Sequence, residues 1–535
     1  MKKLNFVKNQ VSLFFIIIIS FGMVSCASNG DAPPTSSSKL AITANSDANT
    51  VTIFDTSTLA VVHADIAVAG SFPWEITLSK DGNVAYVMNR NSDNISIINM
   101  NTGVETGTIA LTGSEPAKAV IANDGYLYVC YFDSPFISKI NIATATPVEV
   151  TTIPLSNSTS WGGIAATPAG DILYVGSIDP AALSRIDVVS GAQTDSWTSA
   201  NGIPNYIWDI KIDSIGIAYL ASYDAGQTLR WDTTTDTFTT AVQNGQPDEW
   251  MVDMALNGST LFGAYNGGES NGGIVVIDTK ANFDNYTYAQ GDDETYNVTL
   301  PFDFNFLGTD YTTATVSSNG AVSFNGYDNY ENDISGLLGF APNNDDLDSG
   351  NSIFNYSSRL FTDHAVFQWS TSTNDDEPNP NCVTIFEMVL FNDGSARFDY
   401  AFSMPEAINE DTDDDIFGIG DGSATPIVNM RELLGSPFTI QRRSFMWNPA
   451  VSTSSVTEVP FQWEGTGVLH LPVYGLPHGI AVTNNYIFAP LSKGYNTEST
   501  SGTTSTTVAV YDRLTGLPAT PITVGEGPRA IAIQP

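Results

Sequence analysis

Residues Pro73 to Leu111, PWEITLSKDGNVAYVMNRNSDNISIINMNTGVETGTIAL, hold three runs of β-branched and aromatic residues at near period two and a fourth, looser one. Turn signals separate them at Asp81-Gly82, Asn91 to Asn94 and Asn101 to Gly103. A meander of four short strands cannot bury both of its faces alone, so the pattern predicts stacked copies of itself. Aligned on their first strands, the copies open at Trp74, Ala117, Gly162, Trp208 and Trp250, which are 43, 45, 46 and 42 residues apart. Each is followed by a second strand (NVAYVMN, GYLYVCY, DILYVGS, GIAYLAS, STLFGAY) and a third (ISIIN, ISKIN, LSRID, TLRWD, IVVID). This period and strand number are those of a propeller blade.

The ends of the chain complete the count. His478-Gly479-Ile480-Ala481-Val482 opens another copy, and Arg529 to Ile533 is a first strand with no blade behind it. Lys39 to Gly70 is a blade lacking its first strand. Joining the two closes a ring of seven and removes the exposed edge. The expected fold is therefore all-β: a seven-bladed β-propeller closed by the C-terminal strand, with a β-sandwich-like domain inserted in the sixth blade. That blade reaches its third strand at Ile274 to Asp278 and its fourth only at Val468 to Val473. The expected segments are 1–26, a leader; 27–38, a flexible tether; 39–282, the first part of the propeller; 283–447, the inserted domain; and 448–535, the rest of the propeller.

The blades resemble the YVTN-type propeller repeat, over roughly 39 to 280 and 467 to 535. The resemblance implies the fold, and leaves function open among lactonases, surface-layer proteins and binding scaffolds. Within the insertion, Ala341-Pro342 with Asp346 and Asp348, the strand VFQW, the hairpin TIFEMVLFNDGSARFDY and the closing GIGDGSA resemble the nidogen-like extracellular domain. Asn343-Asn344 stands where that family often has an aromatic pair. The family occurs in matrix and adhesive proteins, which implies surface contact.

The leader gives an address. A cationic start, the apolar run VSLFFIIIISF, too short to span a membrane, and Met23-Val24-Ser25-Cys26 resemble a bacterial lipoprotein signal. The resemblance implies lipidation at Cys26 and, with no aspartate following it, the outer membrane of a Gram-negative cell, facing the periplasm or outward. Cys130, within a strand, is expected as a buried free thiol. The formal net charge of -38 excludes nucleic acid as a partner.

Two places can carry chemistry. Trp74, Trp208 and Trp250 share a repeat position with His478 and Arg529, and Trp161 lies one residue earlier in its own blade. Glu75, Lys118 and Asp209 sit one residue on. Propeller geometry gathers these at one channel mouth, either as a stacking platform for a glycan or protein ligand or as wedges between blades. The second place is the insertion, where residues 283–447 hold 27 Asp and Glu against five Arg and no Lys. Asp345, Asp346 and Asp348, and the run Asp411 to Asp415, offer oxygen ligands suited to calcium, or are solvated acidic loops. No calcium-loop spacing, two-histidine metal spacing, nucleophile elbow or phosphate loop occurs. His478 with Arg529 and Glu75 is the one candidate hydrolytic set, lactonase-like by the same resemblance. The expected function is a surface or periplasmic binding and adhesion protein. A hydrolase at the channel mouth and a structural subunit of a surface complex are the alternatives.

Overall fold

A computed structural model describes residues 39–535 except 157–160, 179, 204–205, 223–226, 244–249, 267–271, 282–285, 290–293, 328–335, 345–354, 373–382, 404–415, 424, 426, 430–439, 474, 494–503, 514–515 and 517. The fold is all-β and of β-propeller type. The described residues form six four-stranded antiparallel sheets and one five-stranded sheet of the repeat type, and two larger sheets of seven and six strands.

Burial within one repeat explains its composition. The second strand, Val84–Asn89, is buried along nearly its whole length, whereas the outermost strand, Val104–Ala110, alternates between exposed and half-buried. A strand covered on both faces must be apolar throughout, and an edge strand need only alternate. Third strands end on Asp or Asn, whose side chain accepts backbone N–H bonds two or three residues on and so fixes the turn: Asp55 from Ser57 and Thr58, Asn99 from Asn101 and Thr102, Asp232 from Thr234. At the Asp81-Gly82 turn, Gly82 takes φ +70° and hydrogen bonds from Ser79 and Asn83 lower the Asp81 pKa to about 2.

First strands lie side by side, Pro73–Leu78 against Ser114–Ile121, then Trp161–Ala166, Ile207–Ile212 and Trp250–Asn257. The circuit returns through Ala481–Val482 to Pro528–Ile533. That last strand pairs with Leu40–Asn45, Ile42 opposite Ala532 and Thr43 opposite Ile531, so one sheet unites the two ends of the described chain. Thr43 Oγ1 also donates to Ala530 O at 2.9 Å.

The two larger sheets lie between strands that pair directly. Gly272–Asp278 bonds to Val468–Val473, Ile274 opposite Leu471 and Val276 opposite Leu469. The intervening sheets face each other across a core rich in rings, including Phe306, Phe340, Trp369, Phe386, Phe398 and Trp447, all buried. Val456–Val459 pairs with Ile440–Trp447 and carries the seven-stranded sheet past the Trp447 limit expected from sequence, because the short polar run VTEV has no strand signature of its own.

The other face of the seven-stranded sheet is polar and buried. Ser357, Gln368, Glu387, Asp399 and Ser444 form one cross-strand row. The returning chain lies over it. Gln368 donates to Val468 O at 2.9 Å and accepts from Thr466 N at 3.3 Å, Ser357 and Thr466 hydroxyls meet at 2.8 Å, and Ser370 donates to His470 O. Through these bonds the sandwich is seated on the sheet that contains Val468–Val473.

Candidate functional site

Near the start of most first strands the pairing register slips by a bulge: between Pro73 and Glu75, Pro116 and Ala119, Trp161 and Gly163, Ile207 and Asp209, and Met251 and Asp253. A bulge re-aims the side chain that follows it. Glu75, Lys118, Asp209 and Asp253, from four sheets, thereby converge. Lys118 Nζ lies 2.8 Å from Asp253, 3.1 Å from Asp209 and 3.4 Å from Glu75, and Lys211 Nζ lies 2.7 Å from Asp209 and 3.6 Å from Asp253. Backbone N–H groups of Met254 and Ile480 bind Asp209 and Asp253, each at 2.9 Å. A fifth sheet, between those of Lys118 and Asp209, contributes Gly162-Gly163. A Cβ on Gly163 would lie 2.9 Å from Asp209 Cα, so the missing side chain is what admits the neighbouring strand.

The cluster fixes its own protonation. Burial opposes the Lys118 charge, but Asp209, Asp253 and Glu75 outweigh it and hold its pKa well above the ordinary value. Burial likewise opposes the Asp209 carboxylate, and Lys118 and Lys211 overcome it, bringing the pKa to about 2. Glu75 is raised, by burial first, against the pull of Lys118. This buried charge cluster lies between the first strands of the blade-type sheets, with the aromatic residues beside it.

At the mouth the rings form a continuous arc. Phe72 stacks on Trp74 at 5.9 Å between centroids, Trp74 meets Phe132 edge-on at 5.7 Å, and Phe132 lies 5.4 Å from Trp208. All four are half-buried, so each keeps solvent-facing surface. His478 packs on Trp74 at 6.2 Å. Arg90 lies over Trp74 and Phe132, and Arg529 over Trp74 and Phe72.

The structure thus brings together Trp74, Trp208, His478 and Arg529 at the mouth, and Lys118, Asp209 and Glu75 below it. Trp250 stands two residues before its bulge, paired with Asn266. Val252 takes the place that Trp74 and Trp208 hold, and Trp250 packs against the core beside it. The side chain of Trp161, and Asp345, Asp346, Asp348, the Asp411 to Asp415 run and Cys26, lie outside the described residues. Among the described residues no group of His, Cys, Asp and Glu is arranged to hold a metal ion. Cys130 is a buried free thiol. Of the candidate hydrolytic set, Arg529 Nη1 lies 3.2 Å from His478 Nε2, while Glu75 lies 3.4 Å from Lys118 Nζ.

Sequence reasoning missed Asp253, Lys211, Phe132 and Arg90. Aligning aspartate with aspartate, WDIKI on VDMAL, finds Asp253. Arg90 and Phe132 each follow the residue paired with the proline of the first strand, Asn89 with Pro73 and Tyr131 with Pro116, so they share a repeat position.

A second buried cluster lies under the sandwich. Glu387 accepts from Glu464 N at 2.7 Å and Gly465 N at 2.9 Å, and Arg397 Nε donates to both oxygens of Asp399 at 2.9 and 2.7 Å. Burial, then the neighbouring Asp399, raises the Glu387 pKa well above the usual carboxylate range. Burial also raises Asp399, against the pull of Arg397. Elsewhere a cleft of about 570 Å³ lies between two blade-type sheets, lined by residues including Phe262, Tyr486, Asp512 and Arg513.

Residues 267–443 match the family described as NIDO related. Among solved structures, the chain is similar to Kuenenia stuttgartiensis hydrazine synthase (14% identity, 74% of this chain and 96% of that one, TM-score 0.34). It is also similar to the β-propeller domain of Myceliophteria thermophila Cps50 (Swd1), at 12% identity over 44% of this chain and 82% of that one, TM-score 0.36. A chain of a mitotic checkpoint complex is similar at 13% identity over 48% of this chain and 84% of that one, TM-score 0.37. No curated protein matches.

Proposed function

We propose that a propeller scaffold carrying a NIDO-related domain serves here as a binding and adhesion lipoprotein, anchored through Cys26 to a bacterial outer membrane. In this reading the blade-type sheets are the seven blades of one YVTN-type ring, the NIDO-related segment is spliced into the sixth, and the mouth of the ring takes a glycan or protein ligand. The observation that carries the reading is the arc Phe72, Trp74, Phe132 and Trp208, four half-buried rings in contact one after another beside the buried charge cluster. Indole and phenyl faces stack on the apolar faces of sugars and side chains, and an aromatic surface left in solvent costs free energy until a partner covers it. In this reading the arc is a platform suited to a surface-exposed group.

The test is a glycan and matrix-protein binding screen on the full chain in detergent, with calcium and with chelator. Saturable binding lost in Trp74→Ala and Trp208→Ala is the expected result. Binding that survives both substitutions but needs calcium would move the function to the acidic loops at Asp345, Asp346 and Asp348. Cell fractionation of a Cys26→Ser variant tests the anchor, and an unchanged outer-membrane yield would refute it.

A further inference from the structure

The chain is strongly acidic, with 58 Asp and Glu against 20 Lys and Arg, yet two guanidinium groups bracket the aromatic arc. They are not equivalent. Arg90 donates Nε and Nη2 to Glu115 Oε2 at 3.0 and 2.7 Å, so its charge is matched. Arg529 forms no ion pair among the described residues. Its one hydrogen bond there, from Nη1, goes to His478 Nε2, and its Nε reaches no acceptor. Because a guanidinium only donates, His478 Nε2 is the acceptor of this bond.

Arg529 is therefore a positive charge with no carboxylate in ion-pair contact among the described residues, half-buried between Phe72 and Trp74, whose centroids lie 5.3 and 5.0 Å from its Cζ. Burial lowers its pKa, with Asp47 opposing and Arg90 adding to the fall. Holding a guanidinium partly out of water without a counter-ion is unfavourable, and its planar fork is the side-chain geometry best matched to a carboxylate. The flat rings on either side supply the complementary surface for a ring substituent. Glu115, held by Arg90 at the same rim, keeps an acceptor oxygen for a hydroxyl group.

We propose that the mouth selects an acidic saccharide of the uronic-acid class, its ring on the Trp74 to Trp208 arc and its carboxylate on Arg529. This rests on the reading of the mouth as a ligand platform given above.

The experiment titrates the full chain in detergent, by tryptophan fluorescence and calorimetry, with three probes: oligogalacturonate, its methyl ester, and a neutral galactose oligomer. The acid is expected to bind at least about tenfold more tightly than the ester, the worth of one charge-assisted hydrogen bond. Its affinity should fall with rising salt, and Arg529→Gln should erase the difference while Arg529→Lys keeps part of it. Equal binding of acid and ester overturns the acidic-ligand assignment and leaves the platform standing. Binding of none of the three overturns the uronic-acid class, and the broader screen with Trp208→Ala then decides separately whether the mouth binds anything. The acid and ester comparison uses unsubstituted protein, so it holds even if an Arg529 variant fails to fold.

Discussion

The propeller axis and the outer face of the sandwich both bury charge, and they do it with opposite balances. At the axis two lysines stand among three carboxylates, with cation and anion interleaved: Lys118 touches Glu75, Asp209 and Asp253, and Lys211 touches the last two. On the sandwich face two carboxylates, Glu387 and Asp399, lie side by side with one guanidinium, Arg397, which pairs with Asp399 and also reaches Gln462 and Glu464, while Glu387 accepts from the backbone N–H groups of Glu464 and Gly465. The first cluster balances charge with charge. In the second, burial and the neighbouring carboxyl favour the protonated form of Glu387. The difference teaches that equally buried clusters in one chain respond in opposite senses to pH.

The largest effect expected from breaking this comparison is at Lys118. Lys118→Met leaves buried carboxylates uncompensated and should destabilise the propeller by about 3–5 kcal/mol, read by denaturant unfolding. A loss below about 1 kcal/mol would mean that water reaches the axis and the charges are not truly buried. Next is Gly163→Ala, whose methyl meets Asp209 backbone at 2.9 Å. Overpacking of that kind costs about 1–3 kcal/mol, and an unchanged melting temperature would show that the neighbouring strand yields freely.

The pH responses sharpen the contrast. Asp209, lowered to about 2, contributes stability that is complete above the unfolded value near 3.9 and is lost as pH falls through 2. Glu75, raised by burial, works in the other direction and softens that acid loss. Glu387 is raised well above its ordinary value, so its contribution is complete below the unfolded value near 4.3 and is lost as pH rises through the folded one. Hydrogen exchange should therefore show Trp250–Asn257 losing protection as pH falls and Val383–Phe391 losing it as pH rises; loss in one shared direction would contradict the two assignments. Glu387→Gln mimics the protonated acid. Its amide leaves one of the Glu464 and Gly465 backbone N–H groups without an acceptor, a cost of about 1–3 kcal/mol, and it should abolish the loss of protection with rising pH. Smallest of all is the exposed pair of Arg443 and Glu458, 2.9 Å apart: Arg443→Ala should cost at most about 1 kcal/mol, measured by thermal unfolding at low salt.

The repeat was legible because its second strand, covered on both faces, must be apolar from end to end: VAYVMN, LYVCY and ILYVGS announce themselves. The ends of the ring were legible too, since Arg529 to Ile533 and Lys39 to Gly70 are complementary fragments of one unit. The axis was only half legible. Matching Trp250 to Trp208 by residue type set the sixth copy two residues out of phase, because the position equivalent to Trp208 holds Val252 and both strands carry the same bulge, so only the aspartate after it marks the phase, and Asp253 was lost. The buried row Gln368, Glu387, Asp399 was invisible for another reason. Alternation in VFQWS, TIFEMVL and RFDYA tells which residues share a face. It does not tell what covers that face, and here the cover is the distant stretch Gln462 to Thr466.

The pairing of Gly272–Asp278 with Val468–Val473 also has a consequence in time. Were the roughly 190 intervening residues still unstructured when these strands met, closing the loop would cost on the order of 3 kcal/mol more than closing a tight turn. A sandwich already folded removes most of that penalty, because its own sheets shorten the path from Asp278 to Val468 and its polar face presents Gln368 to the returning strand. A cavity at Trp447, in the sandwich core, is therefore expected to slow the pairing of Gly272–Asp278 with Val468–Val473 before it changes anything at the mouth.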